Sequence, residues 1–239
     1  MKILLTRPQG RNQAMEELLT QLRVAYLVTP LITVVETQES ISQKALAQAD
    51  NLIFISTNAV EFAAKKLHYT FPQHCRYFAV GQATTDSLAQ YHIDAFTAPE
   101  DSQDSEGLLS LPQLNNITQQ SFIIVRGLGG RETLAEQLTL RGADVSYWQV
   151  YQRTAPALDN KVICQHWKSF GIDTIIVTSG EILTNLVNLV PKELFAWLRS
   201  CHIIVPSNRV ELQAKAMGLN YISNANGANT QAVLASLTL

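Results

Sequence analysis

The chain has 239 residues, enough for one large domain or two small ones that each bury a core. Its 18 basic and 20 acidic residues give a formal charge of −2, so no broad positive field attracts nucleic acid or an anionic membrane. Three widely spaced cysteines form no paired framework, and no stretch approaches the roughly 20 apolar residues of a membrane span. We therefore expect a cytoplasmic protein that holds any anionic ligand locally.

The chain opens with a predicted strand, turn and helix. Lys2 to Leu5 is a short apolar strand, Thr6 to Gly10 is a turn, and the apolar residues from Arg11 to Arg23 have helical periodicity. A long extended run from Ala25 to Glu36 follows, interrupted by Pro30, which cannot donate a hydrogen bond in a central strand. The length of this run predicts that it leaves one sheet and continues elsewhere.

The clearest motif of the first half is a buried strand that ends in a polar turn. The apolar run Leu52 to Ile55 stops abruptly at Ser56-Thr57-Asn58, and a helix is predicted to follow. Residues 76–85 repeat this pattern, with Gly81 in the turn and Thr84 after it. Ser, Thr and Asn cap helix N-termini, whose free N–H groups suit carboxylates and phosphates. Both turns therefore predict anion binding at the carboxyl edge of a parallel sheet.

The second half repeats the first about 120 residues later. The strand and turn over 122–131 place Gly130-Arg131 where Gly10-Arg11 stood. A helix over 132–140 and a second long extended run over 144–153 follow. This correspondence predicts a duplicated architecture.

The repeat continues through two further strands that end in polar turns. A helix over 160–170 leads to a strand that ends in Thr178-Ser179-Gly180. Residues 201–209 then match residues 76–84, and their turn contains Ser207-Asn208-Arg209, without the Gly and Thr pattern of the first half.

Two divisions of the chain into domains are compatible with this repeat. One assigns a domain to each half, with a linker over 114–120. In the other, the two long extended runs cross between domains side by side, so that each domain combines the opening of one half with the remainder of the other. We favour the second division because neither run is needed at full length inside a small sheet.

Three familiar motifs are incomplete in this sequence. Gly127-Leu-Gly-Gly-Arg131 resembles a dinucleotide-binding loop, but Glu132 stands where the last glycine of G-x-G-x-x-G belongs. Cys164-Gln-His166 resembles half of a metal site, but no second pair has ligand spacing. Ser179-Gly180 lies in no Gly-x-Ser-x-Gly elbow. These observations disfavour a nucleotide site, a metal site and a hydrolase triad.

Four arginines lie at or just after the predicted carboxyl end of a strand, where open α/β sheets bind ligands. They are Arg7, Arg126, Arg131 and Arg209. Any one of them could simply face solvent or hold a turn, but together they favour a multiply anionic ligand. Tyr151 lies in one of the long extended runs, where a phenol could donate a proton or pack against the strand.

The ordered set of motifs resembles the uroporphyrinogen-III synthases. The matching segments are Leu4-Leu-Thr-Arg-Pro8, Ile55-Ser-Thr-Asn-Ala-Val60, Ala79-Val-Gly-Gln-Ala-Thr84, Ser105-Glu-Gly-Leu108, Arg126 through Arg131, and Val150-Tyr-Gln-Arg153. The resemblance implies an α/β fold of two similar parallel-sheet domains joined by a two-stranded linker, with the active site in the cleft between them. This agrees with the second division, which assigns 1–34 and 155–239 to the first domain and 35–154 to the second.

The resemblance also implies a lyase reaction. Linear hydroxymethylbilane is closed to uroporphyrinogen III with loss of water and inversion of ring D, in the biosynthesis of haem. No cofactor and no metal are expected, and the polycarboxylate substrate suits helix N-termini better than a strongly basic surface. A monomer is implied, with the preceding pathway enzyme as a transient partner.

Site residues follow from the resemblance and from the turns. By position, Tyr151 matches the family's tyrosine that assists loss of the hydroxyl as an acid. The residues predicted to bind substrate lie at the strand ends and in the turns: Arg7, Ser56, Thr57, Asn58, Gly81, Thr84, Arg126, Arg131, Thr178, Ser179, Gly180, Ser207, Asn208 and Arg209.

Two other classes of protein are compatible with parts of the pattern. Two α/β lobes on a hinge also describe binding proteins that close around a small polyanionic ligand, although these are normally exported and the N-terminal apolar run predicts no signal peptide. A nucleotide-dependent transferase would need a phosphate loop or acidic metal ligands, which the motifs do not supply.

Overall fold

The computed structural model describes residues 1–237, in which strands and helices alternate along the chain. The strands are β1 (Lys2–Leu5), β2 (Ala25–Val28), β3 (Thr33–Glu36), β4 (Asn51–Phe54), β5 (Arg76–Ala79), β6 (Ala95–Thr97), β7 (Ser121–Gly127), β8 (Asp144–Thr154), β9 (Thr174–Ile176), β10 (His202–Val205) and β11 (Ile222–Asn224). The α-helices are α1 (Gln13–Gln21), α2 (Gln43–Gln48), α3 (Thr57–Lys66), α4 (Gln82–Ala89), α5 (Ser105–Leu109), α6 (Thr133–Leu140), α7 (Asn160–Phe170), α8 (Gly180–Leu189), α9 (Phe195–Ser200), α10 (Asn208–Ala216) and α11 (Thr230–Ser236). Within residues 1–237, none of the helices has the length and apolar character that crossing a membrane would require.

The chain divides into two compact units. The first unit combines residues 1–34 with the chain from 154 onward, and the second comprises residues 35–153. The chain therefore passes from the first unit to the second within β3 and returns at the end of β8.

The first unit contains a five-stranded sheet in the order β11-β10-β9-β1-β2, with all of these pairings parallel. Leu4 of β1 pairs with Leu27 on one side and Ile175 on the other. Because alternate residues of a strand point to opposite faces, Leu4 joins one buried core, while Ile3 and Leu5 join another. The continuous apolar run of β1 thus reflects burial on both faces.

The second unit contains a six-stranded sheet in the order β3-β8-β7-β4-β5-β6. The strands β8, β7, β4, β5 and β6 pair in parallel, and Phe54 at the end of β4 lies opposite Val125 of β7. One face of the sheet packs into a core that includes Ile53, Phe78 and Phe122. The side chains of β4 are fully buried, as its apolar sequence predicts.

The two sheets share one strand order. The neighbours β11-β10-β9-β1-β2 of the first unit correspond to β6-β5-β4-β7-β8 of the second, where β3 is added beside β8. The predicted fold class, two similar α/β parts built on parallel sheets, is confirmed. The opening strands of each half lie in the same sheet as the later strands of the other half.

The predicted path of the extended run from Ala25 to Glu36 is confirmed, because its two parts are strands of different sheets, β2 and β3, and the chain leaves the first sheet near Pro30. One predicted helix differs from the structure at its start. The helix predicted to begin at Arg11 begins at Gln13, because the preceding turn is closed by a hydrogen bond from the Arg11 N–H to the Pro8 carbonyl at 3.1 Å.

Candidate functional site

Two strands of each sheet end in turns with nearly the same backbone geometry. The residue that precedes the helix has φ between −157° and −167° and ψ between 160° and 165° in all four turns. These residues are Ser56 before α3, Gly81 before α4, Ser179 before α8 and Ser207 before α10. Each turn leaves the first N–H groups of a helix without intrahelical partners at the carboxyl edge of a sheet, a geometry suited to anions.

In the second unit, the turn after β4 is capped by its own serine. The Ser56 Oγ accepts a hydrogen bond from the Ala59 N–H at 3.2 Å. Thr57 and Asn58, predicted to lie in the turn, form the first residues of α3 and are half-buried.

The turn after β5 is closed by a side chain that sequence reasoning did not identify. The Gln103 side-chain oxygen accepts a hydrogen bond from the Gln82 N–H at 3.0 Å, and a Cβ at Gly81 would lie 2.7 Å from that oxygen. Glycine at this position therefore lets the loop before α5 reach the N-terminus of α4. Thr84, predicted to lie at the turn, instead lies inside α4 and is 5% exposed.

In the first unit, the turns after β9 and β10 are brought together by side chains of α10. The Ser179 Oγ caps α8 by accepting from the Ile182 N–H at 3.2 Å, and Thr178 beside it is half-buried. A Cβ at Gly180 would lie 3.4 Å from Nη1 of Arg209, so the guanidinium lies next to the N-terminus of α8. The Arg209 cation and the free N–H groups of α8 thus lie side by side, an arrangement that favours an anionic ligand.

The remaining turn residues of the first unit have different partners. The Ser207 hydroxyl makes no capping hydrogen bond to α10, and the exposed Asn208 accepts a hydrogen bond from the Asn224 side chain at 2.6 Å. The Gln213 side chain donates to the Gly180 carbonyl at 3.0 Å. Asn208 is thereby joined to β11, and Gln213 joins α10 to the start of α8.

Arg126 holds the glycine loop, which we define as residues 127–132. Its guanidinium donates to the carbonyls of Gly127 at 3.3 Å, Arg131 at 3.2 Å and Gly129, and its Nη1 forms an ion pair with Glu132 at 3.3 Å. These bonds use four of the five N–H groups of a guanidinium. Arg126 is 3% exposed, so its main role is to support the loop.

Tyr147 completes the support of the glycine loop. The Arg126 guanidinium lies 4.6 Å from the centre of the Tyr147 ring, and the Tyr147 hydroxyl donates to the Glu132 carboxylate. Burial, followed by the neighbouring Glu132 carboxylate, raises the pKa of Tyr147 to about 12. The phenol therefore stays protonated and continues to donate at neutral pH.

Arg7 has a related role in the first unit. Its guanidinium donates to the carbonyls of Arg11 at 3.4 Å and of Ala228, and the Asn12 side chain donates to the Arg7 carbonyl at 3.1 Å. Burial lowers the pKa of Arg7 from its ordinary value. In both units, an arginine near the end of a strand donates to the carbonyl of the arginine in the next Gly-Arg pair. The duplication therefore extends to side-chain hydrogen bonds.

A pocket of about 230 Å³ lies under the glycine loop, within the second unit. Arg126, Arg131 and Tyr147 line it together with apolar side chains such as Leu134. Arg131 is exposed, and its charge contributes to lowering the pKa of Asp104, after the hydrogen bond from the Gly107 N–H, which contributes most. Among the described residues, no hydrogen bond or ion pair engages the Arg131 guanidinium, which leaves it able to meet an anion.

Tyr151 is held on three sides within the second unit. Its hydroxyl oxygen lies 3.1 Å from the Ser56 Oγ, and its ring stacks on Phe62 with ring centres 5.9 Å apart. A Cβ at Gly127 would lie 2.5 Å from the Tyr151 ring, and the Tyr151 carbonyl accepts from the Leu128 N–H at 2.7 Å. The side chain is 4% exposed, so its position is set by packing.

The predicted residues thus form two groups, one in each unit. The second unit contains Ser56, Thr57, Asn58, Gly81, Thr84, Arg126, Arg131 and Tyr151, and the first contains Arg7, Thr178, Ser179, Gly180, Ser207, Asn208 and Arg209. Sequence reasoning missed Phe62, Gln103, Tyr147 and Gln213, because each acts through a contact distant in the chain. The described residues include no group of three or more His, Cys, Asp or Glu side chains placed to hold a metal ion.

Comparison with known proteins identifies relatives along almost the whole chain. Residues 13–235 match the family model described as uroporphyrinogen-III synthase HemD. The uroporphyrinogen-III synthases of Salmonella typhimurium and Escherichia coli are 37% and 36% identical to this chain, and each alignment covers 99% of this chain and 100% of the relative.

A solved structure has the same fold. The uroporphyrinogen-III synthetase of Helicobacter pylori superposes with a TM-score of 0.63 over 88% of this chain and 91% of its own, at 17% sequence identity. Two parallel sheets with helix N-termini at their carboxyl edges define a duplicated α/β protein suited to anionic ligands. From the family model and the full-length relatives, the chain belongs to the uroporphyrinogen-III synthase family. It is accordingly an enzyme, a cyclising lyase of porphyrin biosynthesis.

Proposed function

We propose that this chain closes linear hydroxymethylbilane to uroporphyrinogen III, with loss of water and inversion of ring D, and that it does so without a cofactor. Membership of the family supports this reaction. The observation that carries the proposal within the structure is the set of four matching turns before α3, α4, α8 and α10. Each turn supplies N–H donors that a carboxylate of the substrate can use.

Carboxylate binding is assigned to the helix N-termini and to two exposed arginines. Arg131 lines the pocket under the glycine loop, and Arg209 lies beside Gly180 at the start of α8. Both guanidinium groups can meet a carboxylate with two parallel N–H bonds. Arg7 and Arg126 act one step back. Arg126 holds the loop that carries Arg131, and Arg7 holds the turn that ends at Arg11.

Tyr151 is proposed as the acid that assists loss of the hydroxyl. Its phenol would give a proton to the hydroxyl, the C–O bond would break with its electron pair leaving on water, and an azafulvene cation would remain. Attack through the substituted carbon of ring D, a spiro intermediate, fragmentation and reclosure would follow. The proton released from the macrocycle at the end restores the phenol. Because the unassisted closure gives the non-inverted isomer, the enzyme contributes mainly geometry.

The proposal extends to the compartment and the assembly of the enzyme. We place the enzyme in the cytoplasm, as a monomer that meets the preceding pathway enzyme transiently. The three cysteines, Cys75, Cys164 and Cys201, are all unpaired and buried, which is the usual state in a reducing compartment.

The reaction is tested by isomer analysis of a coupled assay. Hydroxymethylbilane is generated in place by its synthase, this protein is added, and the products are oxidised and separated as uroporphyrin I and III. We expect isomer III in an amount that depends on this protein. Isomer I alone, from protein shown to be folded by circular dichroism, would contradict the proposal.

The role of Tyr151 is tested by Tyr151→Phe. Loss of a general acid is expected to lower kcat for isomer III by about 10²- to 10⁴-fold, with the fold intact. Tyr77→Phe is the matched control, because Tyr77 is also a buried tyrosine of the second unit whose hydroxyl donates, here to the Pro72 carbonyl at 2.7 Å. We expect this control to keep its activity. A folded Tyr151→Phe protein with unchanged kcat would exclude the assignment.

A further inference from the structure

Ser56 and Tyr151 are neighbours in space although 95 residues separate them in the chain. Their oxygens lie 3.1 Å apart, within the range of an O–H···O hydrogen bond in which either hydroxyl could donate. Both residues belong to the second unit. The turn that caps α3 is thereby connected to the phenol of β8.

The other bond of Ser56 favours one direction of donation. Its Oγ already accepts the Ala59 N–H at 3.2 Å, at the N-terminus of a ten-residue helix. Accepting a hydrogen bond there makes the serine oxygen a weaker acceptor and its O–H a stronger donor, because linked hydrogen bonds polarise one another. The favoured arrangement is donation from the Ser56 hydroxyl to the Tyr151 oxygen, which leaves the phenol proton free to point elsewhere.

The Tyr151 ring has little freedom to leave this arrangement. Phe62 stacks on it at an interplanar angle of 27°, and the Gly127 backbone approaches so closely that a Cβ would lie 2.7 Å from ring atom Cζ. The Lys65 ammonium lies 5.1 Å from the centre of the Phe62 ring, so a cation packs against the ring that stacks on Tyr151. The position of the phenol oxygen is thus fixed by packing and its orientation by Ser56.

We propose that Ser56 is a positioning residue for the reaction, donating its hydroxyl hydrogen to the Tyr151 oxygen. It acts through the phenol and does not touch the reacting atoms. In the resting enzyme it directs the phenol proton away from Ser56. When that proton passes to the leaving hydroxyl, the Ser56 bond stabilises the negative charge left on the phenolate until the macrocycle returns a proton. The inference rests on the proposed role of Tyr151.

A double-mutant cycle tests this coupling with Ser56→Ala, Tyr151→Phe and the double variant. The readout is kcat and KM for isomer III, so that spontaneous closure to isomer I does not contribute. We expect Ser56→Ala to lower kcat about 10- to 100-fold, as for loss of a hydrogen bond to a charged group, with KM changed less than about twofold. In the Tyr151→Phe background, the same substitution is expected to change kcat less than about twofold.

Conservative variants and a cap control separate positioning from folding. Ser56→Thr keeps a hydroxyl and a capping oxygen, and is expected to restore kcat to within about threefold of the parent. Ser56→Gly lacks the hydroxyl but is tolerated at a cap, and should behave like Ser56→Ala even if the alanine variant is unstable. Ser42→Ala removes the same kind of cap from α2, where the Ser42 Oγ accepts from Ala45 at 3.0 Å, and should leave kcat unchanged.

Several outcomes would overturn the inference. Equal losses from Ser56→Ala in both backgrounds would show that the serine acts independently of Tyr151. A raised KM with unchanged kcat would make Ser56 a direct ligand of the substrate, and unchanged kinetics would remove its role altogether. Failure of the proposed function itself is recognised separately, because the parent protein would then produce no isomer III.

Discussion

Gly127 shows how a single residue can determine the position of a side chain that belongs to another strand. It ends β7, and the Tyr151 ring of β8 packs against its backbone at a distance that leaves no room for a Cβ. The register between the two strands shifts between Arg126 and Gly127, which brings Gly127 opposite Tyr151. A glycine noticed in the sequence for its resemblance to a phosphate loop therefore serves the packing of a tyrosine.

Substitution of this glycine is expected to move the tyrosine. In Gly127→Ala the added Cβ would overlap the ring, which is expected to cost about 1–3 kcal/mol of unfolding free energy and to lower kcat for isomer III. Urea unfolding and the isomer assay measure the two effects.

A second background identifies the cause of this loss. In Tyr151→Ala the ring is absent, so Gly127→Ala should cost less unfolding free energy there than in the parent. An equal cost in both backgrounds would assign the effect to the backbone of the glycine loop and would contradict the packing explanation.

Arg126 and Arg131 show why a residue type alone does not define a role. Arg126 was predicted as a substrate ligand from its place near the end of a strand, yet most of its N–H groups are engaged by the carbonyls and the carboxylate of the glycine loop. Arg131, a few residues later, is exposed and available. The sequence places both arginines at one loop, but only the direction of the side chains distinguishes the supporting arginine from the available one.

At the scale of elements, Asp50 joins the starts of two central strands, β4 and β7. Its carboxylate accepts hydrogen bonds from the Ser121 N–H at 2.8 Å and from the Ser121 hydroxyl at 2.9 Å. The backbone bond from Ser121 is the main cause that lowers the pKa of Asp50. A carboxyl pKa that is lower in the folded state stabilises the fold above the ordinary aspartate value, and this contribution is lost as the pH falls through the folded pKa.

The pH dependence follows with a defined sign. Asp50→Asn should be less stable than the parent at pH 7, and the difference should shrink as the pH falls below about 4, where the parent carboxylate also becomes neutral. Urea unfolding at a series of pH values measures this. Asp94→Asn is the control, since Asp94 is exposed and has no side-chain hydrogen bond among the described residues. A difference for Asp50→Asn that stays constant down to pH 3 would contradict the linkage.

The elements themselves were largely predictable, with errors concentrated at their ends. Apolar runs such as β4 and β10 are buried on both faces, so composition alone identified them. The starts of helices depend on local polar bonds that the apolar periodicity does not contain. Gly107 is an example inside a recognised motif: a Cβ there would overlap the Ser102 carbonyl, so the loop before α5 requires glycine for a reason that the motif does not reveal.

At the scale of the whole molecule, we propose that the two units are the folding domains, with 1–34 and 155–239 in the first and 35–154 in the second. The second unit contains its own sheet and its own core. The first depends on both parts of the chain, since Ile3, Leu4 and Leu5 of β1 contribute to its cores and β1 pairs with β9.

Fragments of the chain test these boundaries. A fragment of residues 35–154 is expected to fold alone and to unfold cooperatively, whereas residues 155–239 alone should remain disordered, because β9 would lack its neighbour and both cores would lack β1. Adding a peptide of residues 1–34 should restore order. Circular dichroism and the dispersion of amide resonances report each state. Cooperative folding of residues 155–239 alone, or disorder of residues 35–154, would contradict the proposed division.

The sequence by itself determined the duplication, the strand-turn-helix pattern, the four turns that precede α3, α4, α8 and α10, and the family, because these depend on periodicity and on residue types close together in the chain. The tertiary structure alone decided which strands are neighbours, which arginine is committed to a loop, and that Tyr151 meets Ser56. Such contacts join residues far apart in the chain. They depend on strand order, on register and on the direction of each side chain, none of which a local pattern specifies.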